Sequence, residues 1–169
     1  MKARQAGLAV AVAFAAVGGA VAVDKGADRA TLERGKYLVT IGGCNDCHTP
    51  RYPESDGKVP ESEWLTGVAV GFQGPWGTTY PANLRLALQA MSEDEWLKRA
   101  RSAMRPPMPW FNLAAMTDAD LKAMYRYIRS LGPRGTPAPQ YAAPGQTVTT
   151  PYIVFVPQNL PPAPRATAR

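Results

Sequence analysis

The stretch Cys44-Asn45-Asp46-Cys47-His48 constrains this chain more than any other. Its C-x-x-C-H spacing is that of a covalent haem attachment site. Two thiols three positions apart can add to the two vinyl groups along one porphyrin edge. The adjacent His48 is then held where an imidazole nitrogen can bind iron axially. The rival readings fit less well. A zinc site needs four Cys or His ligands, and the whole sequence has 2 Cys and 1 His. Thioredoxin-like motifs follow a strand and open a helix inside a βαβ pattern, and no such pattern surrounds residue 44. A plain Cys44–Cys47 disulfide would leave the lone histidine without a role.

Residues 1–22 read as a secretory signal. Lys2 and Arg4 form a basic start, Leu8 to Val17 an apolar run, and Ala20-Val21-Ala22 a small-x-small cleavage site. The competing reading is an uncleaved anchor, but the run is rich in Gly and Ala and only weakly apolar. Export agrees with haem attachment, and the periplasm is the expected location. Removing Lys2 and Arg4 lowers the charge from +6 to +4, with 17 basic against 13 acidic residues. No block of consecutive Lys or Arg occurs, so nucleic acid is not an expected partner. A mildly basic surface can steer the chain toward an acidic protein.

Residues 23–132 are expected to form one domain. Thr31 to about Thr40 has a helical pattern, with Leu32, Leu38 and Val39 on one face and Gly35 within it. Residues 50–83 hold so many Gly and Pro that they read as irregular loops. Such a long loop usually wraps something, and Trp64, Phe72, Trp76 and Tyr80 supply aromatic surface. Ser92-Glu93-Asp94-Glu95 is a capping box that opens a helix to about residue 103. Prolines 106, 107 and 109 make Met104 to Phe111 an extended loop. Thr117 caps a final helix whose apolar stripe is Leu121, Met124, Tyr125, Ile128 and Leu131, ended by Gly132-Pro133. From residue 133 to 169 the chain carries nine of its 17 prolines and reads as a Pro-rich, partly extended tail. Within it, Tyr152-Ile153-Val154-Phe155-Val156 is too apolar to be left in water and should dock on the domain or on a partner.

Arg34-Gly35-Lys36-Tyr37-Leu38-Val39 followed by Cys44-Asn-Asp-Cys-His-Thr49 resembles the opening of the monohaem class I cytochromes c. Among them it is similar to the cytochrome subunits of membrane-bound alcohol and gluconate dehydrogenases. The resemblance spans about residues 31–132. It implies an all-α, class I cytochrome c fold with long haem-wrapping loops, in which the first helix crosses the last at a glycine, here Gly35. The stretch Gly77 to Leu84 is similar to the family's Gly-x-x-Tyr-x-x-Asn segment near the haem propionates. That makes Tyr80 and Asn83 candidate cofactor-binding residues, with Arg51 and Arg85 beside them. The Thr-Pro-Asp that usually follows is missing.

His48 is the only histidine, so two histidines of this chain cannot share one iron. The second axial ligand is then Met, Lys or another weak donor, water, or nothing. Met124 falls on the apolar stripe, and Met91 and Met116 precede helix caps. Met104 and Met108 stand in the Pro-rich loop. Met108-Pro109 with its aromatic pair, 60 residues after His48, resembles the family's ligand loop. The resemblance implies iron held by His48 and Met108, in one covalent haem c.

The expected function is one-electron transfer, without catalysis, to and from a redox protein: a periplasmic or membrane-bound dehydrogenase, an oxidase or a reductase. Peripheral membrane association and a fixed place in a dehydrogenase are both compatible with this. The alternatives are a sensor or peroxidase-like enzyme with an open distal site, and a haem-free thiol oxidoreductase.

Overall fold

In a computed structural model, residues 25–159 are described. The expected signal segment and the last ten residues of the tail lie outside them. The helix α1, Lys25–Ile41, runs further toward the N-terminus than its apolar pattern predicts. After it come a one-turn helix α2, Cys44–His48, and two short 3-10 turns at 53–55 and 61–63. A hairpin follows, with β1 at Gly71–Gly74 and β2 at Gly77–Thr79. Four further helices are α3, Leu84–Gln89; α4, Glu93–Ala100; α5, Trp110–Ala115; and α6, Asp118–Ser130. The strand β3, Tyr152–Val154, closes the order. The fold is predominantly helical, as the class I pattern implies, with one small sheet.

The core is the crossing of α1 with α6. Leu38 and Val39 of α1 meet Leu121, Met124, Tyr127 and Ile128 of α6, all nearly or fully buried. Gly35 sits at the crossing: a Cβ there would press on the Ala123 carbonyl and lie 2.6 Å from Tyr127 Cβ. Only a residue without a side chain lets the two backbones come so close. Arg34 Nε donates to Asp120 Oδ1 across the same crossing at 2.9 Å. The phenol of Tyr127 donates to Glu61 Oε1 at 2.7 Å, and Lys36 pairs with the same carboxylate. That links the 61–63 turn to both helices.

The two caps read from sequence are both formed. Ser92 Oγ accepts from the Glu95 amide at 3.3 Å, while Glu95 Oε2 accepts from the Ser92 amide at 2.7 Å. Thr117 Oγ1 accepts from the Asp120 amide at 3.1 Å. At the far end of α6, the buried guanidinium of Arg85 donates to the carbonyls of Leu131, Gly132 and Ser62. It satisfies the Leu131 carbonyl oxygen, at the C-cap, that the helix end would leave orphaned.

Three local readings need correction. Residues 50–83 are not uniformly irregular, because Pro75 and Trp76 form a two-residue turn between paired Gly74 and Gly77. Residues 84–89 form α3, where Asn83 Oδ1 accepts from the Leu86 amide at 3.1 Å and caps the helix. Trp110 and Phe111 are helical rather than extended. Proline bars helix on its N-terminal side but fits at a helix start, so Pro109 can stand just ahead of α5.

The tail returns to the sheet. β3 lies parallel to β1, with Gly71 opposite Tyr152 and Gln73 opposite Val154, giving the order β2-β1-β3. The Phe155 amide donates a hydrogen bond to the Gln73 carbonyl at 2.7 Å, and the Phe155 ring sits 5.6 Å from that of Phe72. The apolar segment thus docks by its backbone, yet its side chains from Tyr152 to Val156 stay 41–55 % exposed. No helix among the described residues is long and apolar enough to cross a membrane.

Candidate haem-attachment site

Because α2 is helical, Cys44 and Cys47 fall at i and i+3 and His48 at i+4, all on one face. Both thiols are free. The turn is fixed from beneath by a polar link that the motif does not announce. Asn45 Oδ1 accepts from Thr49 Oγ1 at 2.7 Å, and Thr49 Oγ1 accepts from the Leu65 amide at 2.8 Å. All three residues are buried. The Asn45 Nδ2 group has no partner, and we have no physical account of it.

His48 is held at two points. Its carbonyl accepts from the Gly67 amide at 2.8 Å, and its ring Nδ1 lies 2.7 Å from the Ala82 carbonyl oxygen. A carbonyl can only accept, so Nδ1 carries the proton and Nε2 keeps its lone pair. Burial lowers the imidazole pKa below its usual 6.5, against the pull of that hydrogen bond. The ring is therefore neutral at physiological pH, in the form that coordinates metal, with a carbonyl fixing its tautomer. Ala82 was invisible to sequence reasoning, because what matters there is a backbone oxygen.

Burial, reinforced by the charge of Asp46, raises both thiol pKa values, that of Cys44 to about 11. Redox-active C-x-x-C pairs have lowered values and exposed thiolates. These thiols are half-exposed but shifted the opposite way, which counts against the thiol oxidoreductase reading.

Met104 and Met108 are half-buried, and both pack on the outside of the same core as Cys44. Tyr80, Asn83 and Ala82 line a cleft of about 400 Å³ whose other wall is the tail at 137–140. The polar atoms of Tyr80 and Asn83 are already engaged by the tail. Tyr80 Oη is 2.6 Å from Thr150 Oγ1, and Asn83 Nδ2 donates to the carbonyls of Arg134 and Thr136 at 2.7 and 3.1 Å. Asn83 has no amide proton to spare for a propionate. Arg85 is turned to the end of α6, and Arg51 is exposed. Of the candidate residues, then, Cys44, Cys47 and His48 share one helical turn, and Asn83 adjoins the carbonyl that orients His48. The donor set of two unpaired thiols and one oriented neutral imidazole fits a covalently attached haem.

A family model described as cytochrome c matches residues 32–132. The alcohol dehydrogenase (quinone) cytochrome c subunit of Gluconobacter oxydans is 26% identical over 71% of this chain and 25% of its own length. The gluconate 2-dehydrogenase cytochrome c subunit of Pantoea cypripedii is 29% identical over 64% of this chain and 25% of its own. A nicotinate dehydrogenase subunit from Pseudomonas putida is 30% identical over 65% of this chain and 9% of its own. The chain spans about a quarter of the first two relatives' length. No solved structure gives a significant match.

Proposed function

The chain belongs to the cytochrome c family, and on that premise we propose a periplasmic one-electron carrier with a single haem c and His48/Met108 axial ligation. Family membership carries the covalent haem and the electron-transfer role. The rest is our reading of this chain's residues.

The observation that carries it is His48: a neutral imidazole with Nδ1 spent on Ala82 and Nε2 free, on the same face of α2 as two protonated thiols. Cys44 and Cys47 would hold the haem through two thioether links. His48 Nε2 and the Met108 sulfur would hold its iron. Haem bound in this way supplies a one-electron ferric/ferrous couple, and a thioether ligand favours the ferrous form and raises the potential. With both axial positions filled, no position is left for substrate or dioxygen. Tyr80 and Asn83 border the cofactor at the cleft beside Ala82, with their polar groups holding the tail.

The C-x-x-C-H motif occurs once, which motivates one haem. Residues 1–22 motivate export, with 23–132 as the haem domain and 133–169 as its tail. The relatives' names motivate a dehydrogenase as electron donor, with this chain either a free shuttle or a fixed component of the enzyme. Size-exclusion of the native complex separates the two.

The test is the visible spectrum of the exported protein, ferric and then dithionite-reduced. Sharp low-spin bands, with a weak far-red sulfur-to-iron band that Met108→Ala removes and Met104→Ala leaves, are expected. Loss of that band in Met104→Ala alone would move the ligand. A high-spin ferric spectrum with rapid cyanide binding would replace the carrier by a sensor or peroxidase-like enzyme.

A further inference from the structure

The loop that presents Met108 packs its two methionines on the core but has few hydrogen bonds to hold it in place. Prolines 106, 107 and 109 have no N–H to donate. Its backbone bonds are local, from Met108 to the Arg105 carbonyl at 3.3 Å and from Trp110 to the Met108 carbonyl at 2.9 Å. Besides the packing of Met104 and Met108 on the core, one hydrogen bond and one cation–π contact reach out of the loop, and both go to the sheet and tail. Thr79 Oγ1, at the end of β2, donates to the Pro106 carbonyl at 2.7 Å. The Arg105 guanidinium stands 3.9 Å over the ring of Tyr141, in the tail.

Tyr141 is itself fixed. Its hydroxyl donates to the Trp76 carbonyl at 2.9 Å, in the turn between β1 and β2. Its neighbour Ala142 exchanges both backbone hydrogen bonds with Thr78, at 2.8 and 3.0 Å. Gly77 makes room for this. Its φ is +94°, and a Cβ there would lie 3.0 Å from Tyr141 Cε2 and press on the Ala142 carbonyl. The hairpin and the tail therefore form one rigid frame, and the ligand loop is tied to it three and two residues ahead of Met108.

The geometry points to Tyr141, Arg105 and Thr79 as positioning residues that keep the Met108 sulfur on the distal face of the haem. This rests on the reading of Met108 as axial ligand. An exposed cation–π contact contributes little to global stability. It acts fully, however, on the local opening of a loop with few other bonds, and local opening is what lets an outside ligand reach the iron.

The experiment uses the ferric holoprotein, with cyanide as the outside ligand and the far-red band as the second readout. Arg105→Gln, at an exposed site, and Tyr141→Leu should each speed cyanide binding by about 2- to 5-fold. Haem content and helical circular dichroism should stay unchanged. Tyr141→Phe keeps the ring under Arg105 and should restore most of the slow rate. The double variant Arg105→Gln/Tyr141→Leu should be no faster than either single one, because both remove the same contact. Thr79→Val should speed binding where Thr79→Ser does not. Met108→Ala separates the two layers. If it leaves the far-red band intact, the ligand assignment fails and this proposal falls with it. If it abolishes the band while Arg105→Gln and Tyr141→Leu bind cyanide at the rate of the unaltered protein, only the positioning role is overturned.

Discussion

Where α1 meets α6, water scarcely touches the side chains: Leu121 is 0 %, Met124 1 % and Ile128 1 % exposed. In strand β3 the balance is reversed, and Tyr152, Ile153 and Val154 are 45–55 % exposed. Burial holds the helical half and directional bonds hold the other, through strand pairing, the Thr78–Ala142 exchange and the Tyr141 clamp. Apolar burial contributes in proportion to area, whereas each hydrogen bond adds only about 1 kcal/mol net. The helical side should therefore set the global stability. The sheet and tail set position, at the loop that carries Met108.

That contrast can be broken in four places. Leu121→Ala empties a fully buried site, and should cost about 3–4 kcal/mol in urea unfolding of the holoprotein. A cost below about 1 kcal/mol would remove the crossing from the centre of the fold. Gly35→Ala sets a Cβ against the Ala123 backbone and should cost about 2 kcal/mol, although alanine is the better helix former. Asp120→Asn should cost about 0.5 kcal/mol at neutral pH. The hydrogen bond from Arg34 lowers the Asp120 pKa below 3.8, outweighing burial, with Thr117 assisting. A lowered carboxylate pKa stabilises the fold above its unfolded value and loses that contribution as pH falls through the folded one. The difference between variant and parent should thus vanish in acid, and a difference that grows on acidification would contradict the assigned pair. Smallest is Ile153→Ala, expected within about 0.5 kcal/mol. Hydrogen exchange sharpens the point: the Phe155 amide, bonded to Gln73 at the sheet edge, should exchange well before the amides of α6. Equal protection would mean that the two halves open together.

The same division explains what could be read in the sequence. Helices α4 and α6 announce themselves because a cap and an apolar period repeat within one segment, as at Ser92–Glu95 and Thr117–Ile128. Strands of three or four residues, one bounded by glycines and another opening on one, leave no period to find. The pairing of Gly71 with Tyr152 depends on partners far apart in the chain. At the site, Cys44, Cys47 and His48 were legible because a side chain carries each role. The Ala82 oxygen and the Gly67 amide were not, since any residue could supply them. Asn45 and Thr49 occupied positions the motif leaves open, although their i, i+4 spacing allows the bond they make. Tyr80 and Asn83 stand out only through the resemblance of residues 77–84 to a family segment, and their polar groups serve the tail.

The crossing of α1 and α6 also has a consequence in time. Arg34 and Asp120, which meet across it, are 86 positions apart, so the core is non-local and closes slowly. A chain emerging N-terminus first exposes residues 44–48 long before α6 exists for α1 to pack against. During that interval the two thiols and the imidazole lie on a chain without its core, open to modification from either side. Completion of α6 adds the core against which Cys44 packs, so any enzyme that attaches the cofactor has its freest access to a nascent substrate.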